Sequence, residues 1–277
     1  MTVAVFRNTR INANALVGGS LMALLMVLAI FGPAIAPYDP LKLDLRAPLA
    51  GPSAAHWFGT DEFGRDIMSR LIYGTRTSVW ISFATVAVAM LLGLSLGVAA
   101  GFVRGWTDRI IMTLNDALLA FPGLLLALGV MAVAGASLDA IIVALGLAYT
   151  PAVVRVVRAT VMSIREREFI EASRVMGNKE LVTMLRHVLP NCIAPVTVLA
   201  TSMFGWVILS ESALSFLGLG VPPPAPTWGN MLAAARPFIT QAPHMIILPG
   251  LCISLTLLGV NMLGDALRDW SDPKMRR

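Results

Sequence analysis

Long apolar runs separated by short polar segments dominate the chain and predict six membrane-spanning helices. A helix needs about 20 mainly apolar residues to cross about 30 Å of hydrocarbon. Six segments meet this requirement, at residues 15–37, 78–103, 110–134, 138–157, 191–217 and 245–267. The pattern therefore predicts an all-α integral membrane protein whose two termini lie on the same side of the membrane.

Glycine and proline positions inside these segments predict how the helices pack and bend. Gly93, Gly97 and Gly101 recur at intervals of four, so they fall on one face of the second helix. A neighbouring helix can approach closely at such a face. The third segment contains Phe121-Pro122, and we expect a kink there because proline interrupts helical hydrogen bonding.

The connection at residues 38–77 contains a second kind of pattern, that of a short amphipathic helix at residues 64–76. Charged side chains surround one face of this helix, and apolar side chains form the other. The apolar positions are Ile67, Met68, Leu71 and Ile72. We expect this helix to lie at the membrane surface and brace the bundle. Trp228, in a later connection, is expected to anchor at the level of the lipid headgroups.

Composition and charge agree with a membrane protein and set its orientation. With 57% hydrophobic and 13% charged residues, the chain has too little polar surface for a soluble globule. The net charge of +5 comes from basic residues that border apolar segments, so it indicates membrane orientation and not nucleic-acid binding. Basic residues cluster at 155–190 and in the tail at 268–277. These segments, and with them residues 1–14, are therefore expected in the cytoplasm.

The connection at residues 38–77 does not follow this charge rule, because it carries five basic and five acidic residues on the side expected to be external. A folded loop or an interface could tolerate such charges. The sequence leaves both explanations open.

Catalytic motifs are not found in the sequence. A phosphate-binding loop needs a Gly-Lys-Ser/Thr ending, and the three lysines, Lys42, Lys179 and Lys274, follow Leu, Asn and Pro. The three histidines are widely separated, and no metal-ligand spacing is present. We therefore expect no enzyme activity, no metal site and no cofactor in this chain.

The polar loop at residues 165–190 is the most informative segment. Phe169, Ala172, Val175 and Met176 fall on one side of a predicted short helix, and Glu168, Glu171 and Arg174 form a polar strip through i,i+3 spacing. This helix is expected to end at Gly177, since glycine readily takes the left-handed geometry that closes a helix. Its length of about 15 Å is too short to be stable without docking.

The spacing of Glu-Ala-Ser at 171–173, Gly177 and His-Val-Leu-Pro at 187–190 resembles the loop by which permeases of ATP-binding-cassette (ABC) importers grip their ATPases. Ser173 and His187 depart from the commonest residues of that loop, Ala and Ile, without changing its backbone plan. Over nearly its whole length the chain is similar to the dipeptide, oligopeptide and nickel group of these permeases, and within it to the dipeptide type. Three further stretches share this likeness: His56–Asp61 with Gly64–Asp66 and Ser69-Arg70; Asp116 with Phe121-Pro122; and Ser215–Gly220 with Pro222–Pro224 and Trp228-Gly229.

The resemblance implies a type-1 ABC importer permease fold, with its core at residues 75–266 and the first span added at its side. It implies a multi-pass location in a bacterial inner membrane, in contact with lipid. The implied partners are a second, non-identical permease, two ATPases that bind ATP and Mg²⁺, an extracytoplasmic substrate-binding protein and the peptide itself. No nucleic acid is expected among them.

The resemblance also implies that the 165–190 loop carries the coupling residues. They are Glu168, Glu171, Ala172, Ser173, Arg174, Gly177, His187 and Pro190. Glu171 and Gly177 are the leading candidates, and Glu171 is expected to accept hydrogen bonds from the ATPase surface. Arg165, Arg167 and Arg174 could instead meet only solvent or lipid headgroups.

Candidates for the path or its gate come from polar and kinking residues inside the spans: Asp116, Phe121, Pro122 and Glu211. A buried carboxylate such as Glu211 is costly in a membrane unless it is paired or faces water, so it is either a pathway group or a partner for another helix. Asp116 with Phe121-Pro122 could form a gate hinge or serve helix packing. Two other functions remain open for the chain, a nickel importer permease and a six-span channel that needs no ATPase.

Overall fold

The computed structural model describes residues 13–271, and the regular structure within that range is helical. Ten α-helices follow one another there: α1 (Ala13–Ile35), α2 (Ile67–Val103), α3 (Gly105–Leu119), α4 (Gly123–Ala134), α5 (Leu138–Arg165), α6 (Glu168–Val175), α7 (Glu180–Thr183), α8 (Leu189–Phe216), α9 (Trp228–Ala235) and α10 (His244–Ser271). Most of the predicted terminal segments, 1–14 and 268–277, lies outside the described residues.

Five of the six predicted membrane spans correspond to single helices, and the remaining one has a different shape. Helices α1, α2, α5, α8 and α10 are long and apolar enough to cross a membrane, and α3 with α4 adds a sixth span if the bent pair crosses as one unit. The axes of this pair are bent by 91° at residues 120–122. The third span at residues 110–134 is therefore two helices and not one kinked helix. Pro122 stands directly before α4, where its missing N–H costs no helical bond.

The predicted surface helix at residues 64–76 is wrong as a separate element, because α2 runs without a break from Ile67 to Val103. Asp66 caps its first turn, with its carboxylate accepting from the Ser69 backbone N–H at 2.8 Å. The apolar face of the first turns is buried, with Ile67 1% exposed, because α9 and α10 cover it. Periodicity alone cannot distinguish a membrane surface from a protein neighbour as the cover of an apolar face.

The glycine face of α2 packs against α5 as expected, and these two helices form the centre of the bundle. A Cβ on Gly97 would lie 2.7 Å from Cβ of Val157 and 2.9 Å from the Val154 carbonyl oxygen. Gly93 and Gly101 meet Val153 and Val161 in the same way. Each glycine of the row therefore accommodates one buried valine of α5.

Helix α1 lies at the side of this core, in contact with α10 and α2. At Gly18 a Cβ would lie 2.7 Å from the backbone nitrogen of Leu263, whereas at the next residue, Gly19, it would meet nothing within 4 Å. Gly18 thus brings α1 close to α10, and Gly19 faces away from the chain.

The connection at residues 36–66 is a compact folded loop, which explains how it holds so many charges. Asp61, 3% exposed, accepts from Arg65 Nε at 2.6 Å, and Arg70 Nε lies 3.4 Å from the same carboxylate oxygen. His56 Nδ1 lies 2.9 Å from Oδ1 of Asp66. Nearby, burial raises the pKa of the Glu62 carboxyl above its ordinary value of 4.5. Internal ion pairs therefore account for Arg65 and Arg70 among the five basic residues at 38–77, whereas Lys42, Arg46 and Arg76 are exposed.

The structure also corrects the expected position of Trp228. Its side chain is 0% exposed and lies in the core beside α2, where its indole N–H donates to the Leu71 carbonyl at 3.4 Å. Trp228 is therefore an internal anchor for α9 and not a headgroup contact.

Candidate functional site

Helix α6 is a short helix in the connection between the long helices α5 and α8. Its apolar face points away from the bundle. Phe169 is 40% exposed, Val175 83% and Met176 75%. Ala172 and the carboxylates Glu168 and Glu171 are exposed as well. The exposed face is the one that the sequence predicted, and it has no partner among the described residues.

The opposite face of α6 is anchored in the protein. Ile170 is fully buried in the core that α2, α5 and α8 share. Ser173 is 1% exposed, and its hydroxyl lies 3.1 Å from that of Thr183 on α7. Asn178 donates its side-chain amide to the Ser173 oxygen at 3.0 Å. The serine that replaces the common alanine thus joins α6 to the turn that follows it.

Gly177 ends α6 in the predicted left-handed geometry, with φ of +80°. Its N–H donates to the Arg174 carbonyl at 2.9 Å, and the Asn178 N–H donates to the Ser173 carbonyl at 3.2 Å. These two bonds form a Schellman motif, which satisfies the last carbonyls of the helix and reverses the chain.

The charges around α6 are arranged differently from the predicted strip. Arg174 pairs across the turn with Glu180, Nε to Oε1 at 3.1 Å, and not with Glu171 along the helix. Arg165 is not merely solvated, because it donates to the Phe102 carbonyl and lies over the Phe102 ring. The carboxylate of Glu171 therefore stays available to a partner.

His187 and Pro190 lie on the path from this turn into α8 and not on α6. His187 belongs to a π-helical turn, Met184–Val188, in which the Leu189 N–H donates to the Met184 carbonyl. Pro190 occupies the first turn of α8, where it has no N–H to donate. Their position connects the α6 turn to a membrane span.

The other predicted residues lie away from α6. Asp116 on α3 accepts from Arg155 Nη2 on α5 at 2.8 Å, and both side chains are more than half exposed. Phe121 and Pro122 lie at the sharp break between α3 and α4 and are also exposed. A second pair, Asp108 with Arg158, joins the same two helices.

Glu211 is 1% exposed, and this geometry favours its role as a partner for another element. Its Oε1 accepts from Ser215 at 2.9 Å and from Thr227 at 2.9 Å. Thr227 is the N-cap of α9, so the carboxylate links α8 to α9. Within residues 13–271 its Oε2 has no hydrogen-bond partner, and it faces Gly229, where a Cβ would lie 2.9 Å away.

Several residues on which these arrangements depend are not predicted by the sequence patterns. Ile170 and Thr183 were not predicted as anchors, and Asp108 was not predicted as a partner of Arg158. The pairing of Arg155 with Asp116 was also missed. The available signal was the placement of charged residues at the ends of apolar spans, where an unpaired charge is costly. Their partners are distant in sequence, so pattern alone could not pair them.

Comparison with protein families gives two matches. Residues 93–277 match the model of the binding-protein-dependent transport system inner membrane component. Residues 3–52 match the model of the N-terminal transmembrane domain of oligopeptide transport permease C. Together they cover the first span and most of the predicted core.

Curated relatives match over almost the whole chain. The dipeptide transport system permease protein DppC of Alkalihalophilus pseudofirmus is 43% identical over 98% of this chain and 89% of its own length. The di/tripeptide transport system permease protein DppC of Pseudomonas aeruginosa is 44% identical over 96% and 89%. The glutathione transport system permease protein GsiD of Pectobacterium atrosepticum is 41% identical over 95% and 87%.

Among solved structures, an inward-facing MetNI methionine ABC transporter matches with a TM-score of 0.57. The match covers 73% of this chain and 97% of that chain at 19% identity. This similarity confirms the predicted type-1 importer fold.

Proposed function

The chain belongs to the family of binding-protein-dependent transport system inner membrane components, and we propose that it forms half of a path for dipeptides or short oligopeptides. Membership makes the chain a membrane permease subunit of an ABC importer in a bacterial inner membrane. It also confirms that the chain is not an enzyme, since ATP hydrolysis belongs to separate ATPase subunits.

The peptide cargo is supported by the relatives, whose names describe transport of dipeptides, di- and tripeptides and glutathione. All of these cargoes are short peptides with charged termini. The relatives therefore support peptide import over nickel import, and the family itself argues against a channel that works without an ATPase.

The partners of the chain are a second, non-identical permease, two ATPases that bind ATP and Mg²⁺, and an external substrate-binding protein. The end of the bundle that carries α6 faces the cytoplasm, with both chain termini on that side. The compact loop at residues 36–66 and α9 lie at the opposite end and face the binding protein. Clustering of basic residues at 155–190 supports this orientation.

The exposed apolar face of α6 carries the proposal that this helix docks on an ATPase. An exposed apolar helix face outside the membrane is typical of a protein-binding surface. Here the opposite face of the helix is buried in the protein, which fixes the position of the exposed face. Glu171 lies at the edge of the exposed face, where it can accept hydrogen bonds from the ATPase. Closure of the ATPases on ATP pushes the docked helices together, and α5 and α8 transmit that movement into the membrane.

Uptake in vesicles that contain the complete importer tests both cargo and coupling. ATP-driven uptake of a labelled dipeptide is compared with uptake of nickel, first with the wild-type chain and then with Glu171→Ala. Loss of charge-assisted hydrogen bonds is expected to lower dipeptide uptake about ten-fold or more. Glu166→Ala is the matched control, because Glu166 lies just before α6, is 73% exposed and pairs at the surface with Arg104 at 3.2 Å.

Three outcomes would each contradict a different part of the proposal. Nickel uptake without dipeptide uptake by the wild-type importer would replace the cargo. Flux that does not need ATP would overturn the importer mechanism. Equal uptake by Glu171→Ala and Glu166→Ala would remove Glu171 from the ATPase contact while leaving the cargo in place.

A further inference from the structure

Two ion pairs join α3 to α5, and their geometries differ in a way that suggests two roles. Asp108 and Arg158 meet through two hydrogen bonds, of 2.5 and 2.7 Å. Their side chains are 21% and 28% exposed. Paired donors and acceptors in a mostly buried setting form a strong and directional contact. This pair fastens α3 to α5.

The ion pair between Asp116 and Arg155 is more exposed and has fewer hydrogen bonds. A single hydrogen bond of 2.8 Å joins Nη2 to Oδ1, and the side chains are 58% and 60% exposed. Among the described residues neither side chain makes another hydrogen bond, so one carboxylate oxygen and most guanidinium N–H groups remain available. Exposed ion pairs contribute little stability and exchange partners readily.

This pair lies beside the break between α3 and α4, and both of its residues belong to candidate membrane spans. Asp116 lies one helical turn before the 91° break between α3 and α4. Arg155 lies in the second half of α5, which is itself long and apolar enough to span a membrane.

Both features argue against contact with lipid. Two exposed charges within candidate membrane spans are too costly to face hydrocarbon. Irregular backbone at membrane depth is tolerated only inside protein or along a water-filled cavity, and Phe121 at the break is 61% exposed. Broken helices of this kind line the substrate sites of many transporters.

We propose that Asp116 and Arg155 form a binding site for the two charged termini of a zwitterionic peptide in the translocation path. The peptide ammonium binds the Asp116 carboxylate, and the peptide carboxylate binds the Arg155 guanidinium. One weak ion pair is thereby replaced by two, so the net charge of the site does not change. The site rests on the proposed peptide cargo. The site contacts only the charged termini, which all such peptides share, and does not distinguish their side chains.

Charge-selective uptake by the complete importer tests this site. A dipeptide is compared with its C-terminal amide and with its N-acetylated form, at saturating binding protein loaded with each ligand. Uptake is expressed per ATP hydrolysed. Arg155→Gln is expected to lower the preference for the free carboxylate over the amide about ten-fold, and Asp116→Asn to lower the preference for the free ammonium over the acetyl form similarly.

Charge reversal distinguishes a peptide-binding site from an ion pair that only holds α3 and α5 together. The double variant Asp116→Arg with Arg155→Asp keeps an ion pair but reverses its polarity towards the peptide, so uptake should stay low. The same reversal at Asp108 and Arg158 is the matched control. There each single change should lower the yield of assembled importer, and the reversed pair should restore it.

Four results would overturn the site: unchanged preferences in both single variants, restored uptake in the reversed 116/155 pair, equal loss of all three ligands, or loss of the second permease from the purified complex. The third result would indicate a structural clasp, and the fourth a subunit interface. Failure of the wild-type importer to take up any peptide is a separate result, which would overturn the proposed cargo and the site with it.

Discussion

Substitution of Gly97 by alanine tests whether close approach of α2 and α5 stabilises the bundle. The new Cβ would lie 2.7 Å from Cβ of Val157 and 2.9 Å from the Val154 carbonyl oxygen. Carbon atoms in contact prefer a separation of about 3.5–4.0 Å, so the overlap is about 1 Å. The carbonyl belongs to the backbone and cannot rotate away, and the two helices must therefore separate.

The expected cost of this separation is about 1–3 kcal/mol, the usual range for overpacking. Separation by 0.5–1 Å also forfeits about a quarter to a half of the dispersion energy of each contact along the interface. Replacement of the facing residue, Val157→Gly, removes the two nearest atoms, Cβ at 2.7 Å and Cγ1 at 2.8 Å, and makes room for the new methyl group. The double variant Gly97→Ala with Val157→Gly should therefore be more stable than the sum of the two single effects predicts, by about 0.5–3 kcal/mol.

The assay is titration of the purified chain into a denaturing detergent, with the free energy of unfolding measured for each variant. Gly19→Ala is the control, since a Cβ there meets nothing within 4 Å. It should be neutral or stabilising by up to about 1 kcal/mol, because alanine favours helix over glycine. Equal destabilisation by Gly97→Ala and Gly19→Ala, or strictly additive effects in the double variant, would refute the packing argument.

Two further predictions concern the turn after α6 and the loop at residues 36–66. Gly177→Ala and Gly218→Ala both place a side chain at a φ near +80° in open space, each at the end of a helix with a Schellman motif, so each should cost about 1 kcal/mol of stability. Only Gly177→Ala should lower peptide uptake per ATP hydrolysed, and a matching loss in Gly218→Ala would refute a special role for Gly177. For Glu62, a pKa raised above 4.5 means that folding favours the protonated carboxyl, so its stabilisation is present in acid and lost as pH rises through the folded pKa. Glu62→Gln should therefore raise the melting temperature at pH 7.5 and have little effect near pH 4, whereas an effect that does not depend on pH would contradict the argument.

Local patterns predicted well where the responsible residues are close in sequence. The apolar face of α6, its end at Gly177 and the glycine row of α2 all follow from spacing within a few turns of helix. The bend at Phe121-Pro122 was also predicted, but its angle of 91° was not. Proline removes a hydrogen bond at one position, and the packing of α4 on α5 and of α3 on both α2 and α5 sets the final direction of the chain.

The sequence by itself determined the membrane class, the apolar spans, the family and the position of α6, because hydropathy and short motifs are local properties. Only the tertiary structure decided which neighbour covers each face and which charge meets which. Trp228 became a core residue because it packs against α2, and Arg155 met Asp116 because α3 folds back onto α5. Such pairings depend on contacts between residues far apart in the chain, whose geometry is set when the helices pack together.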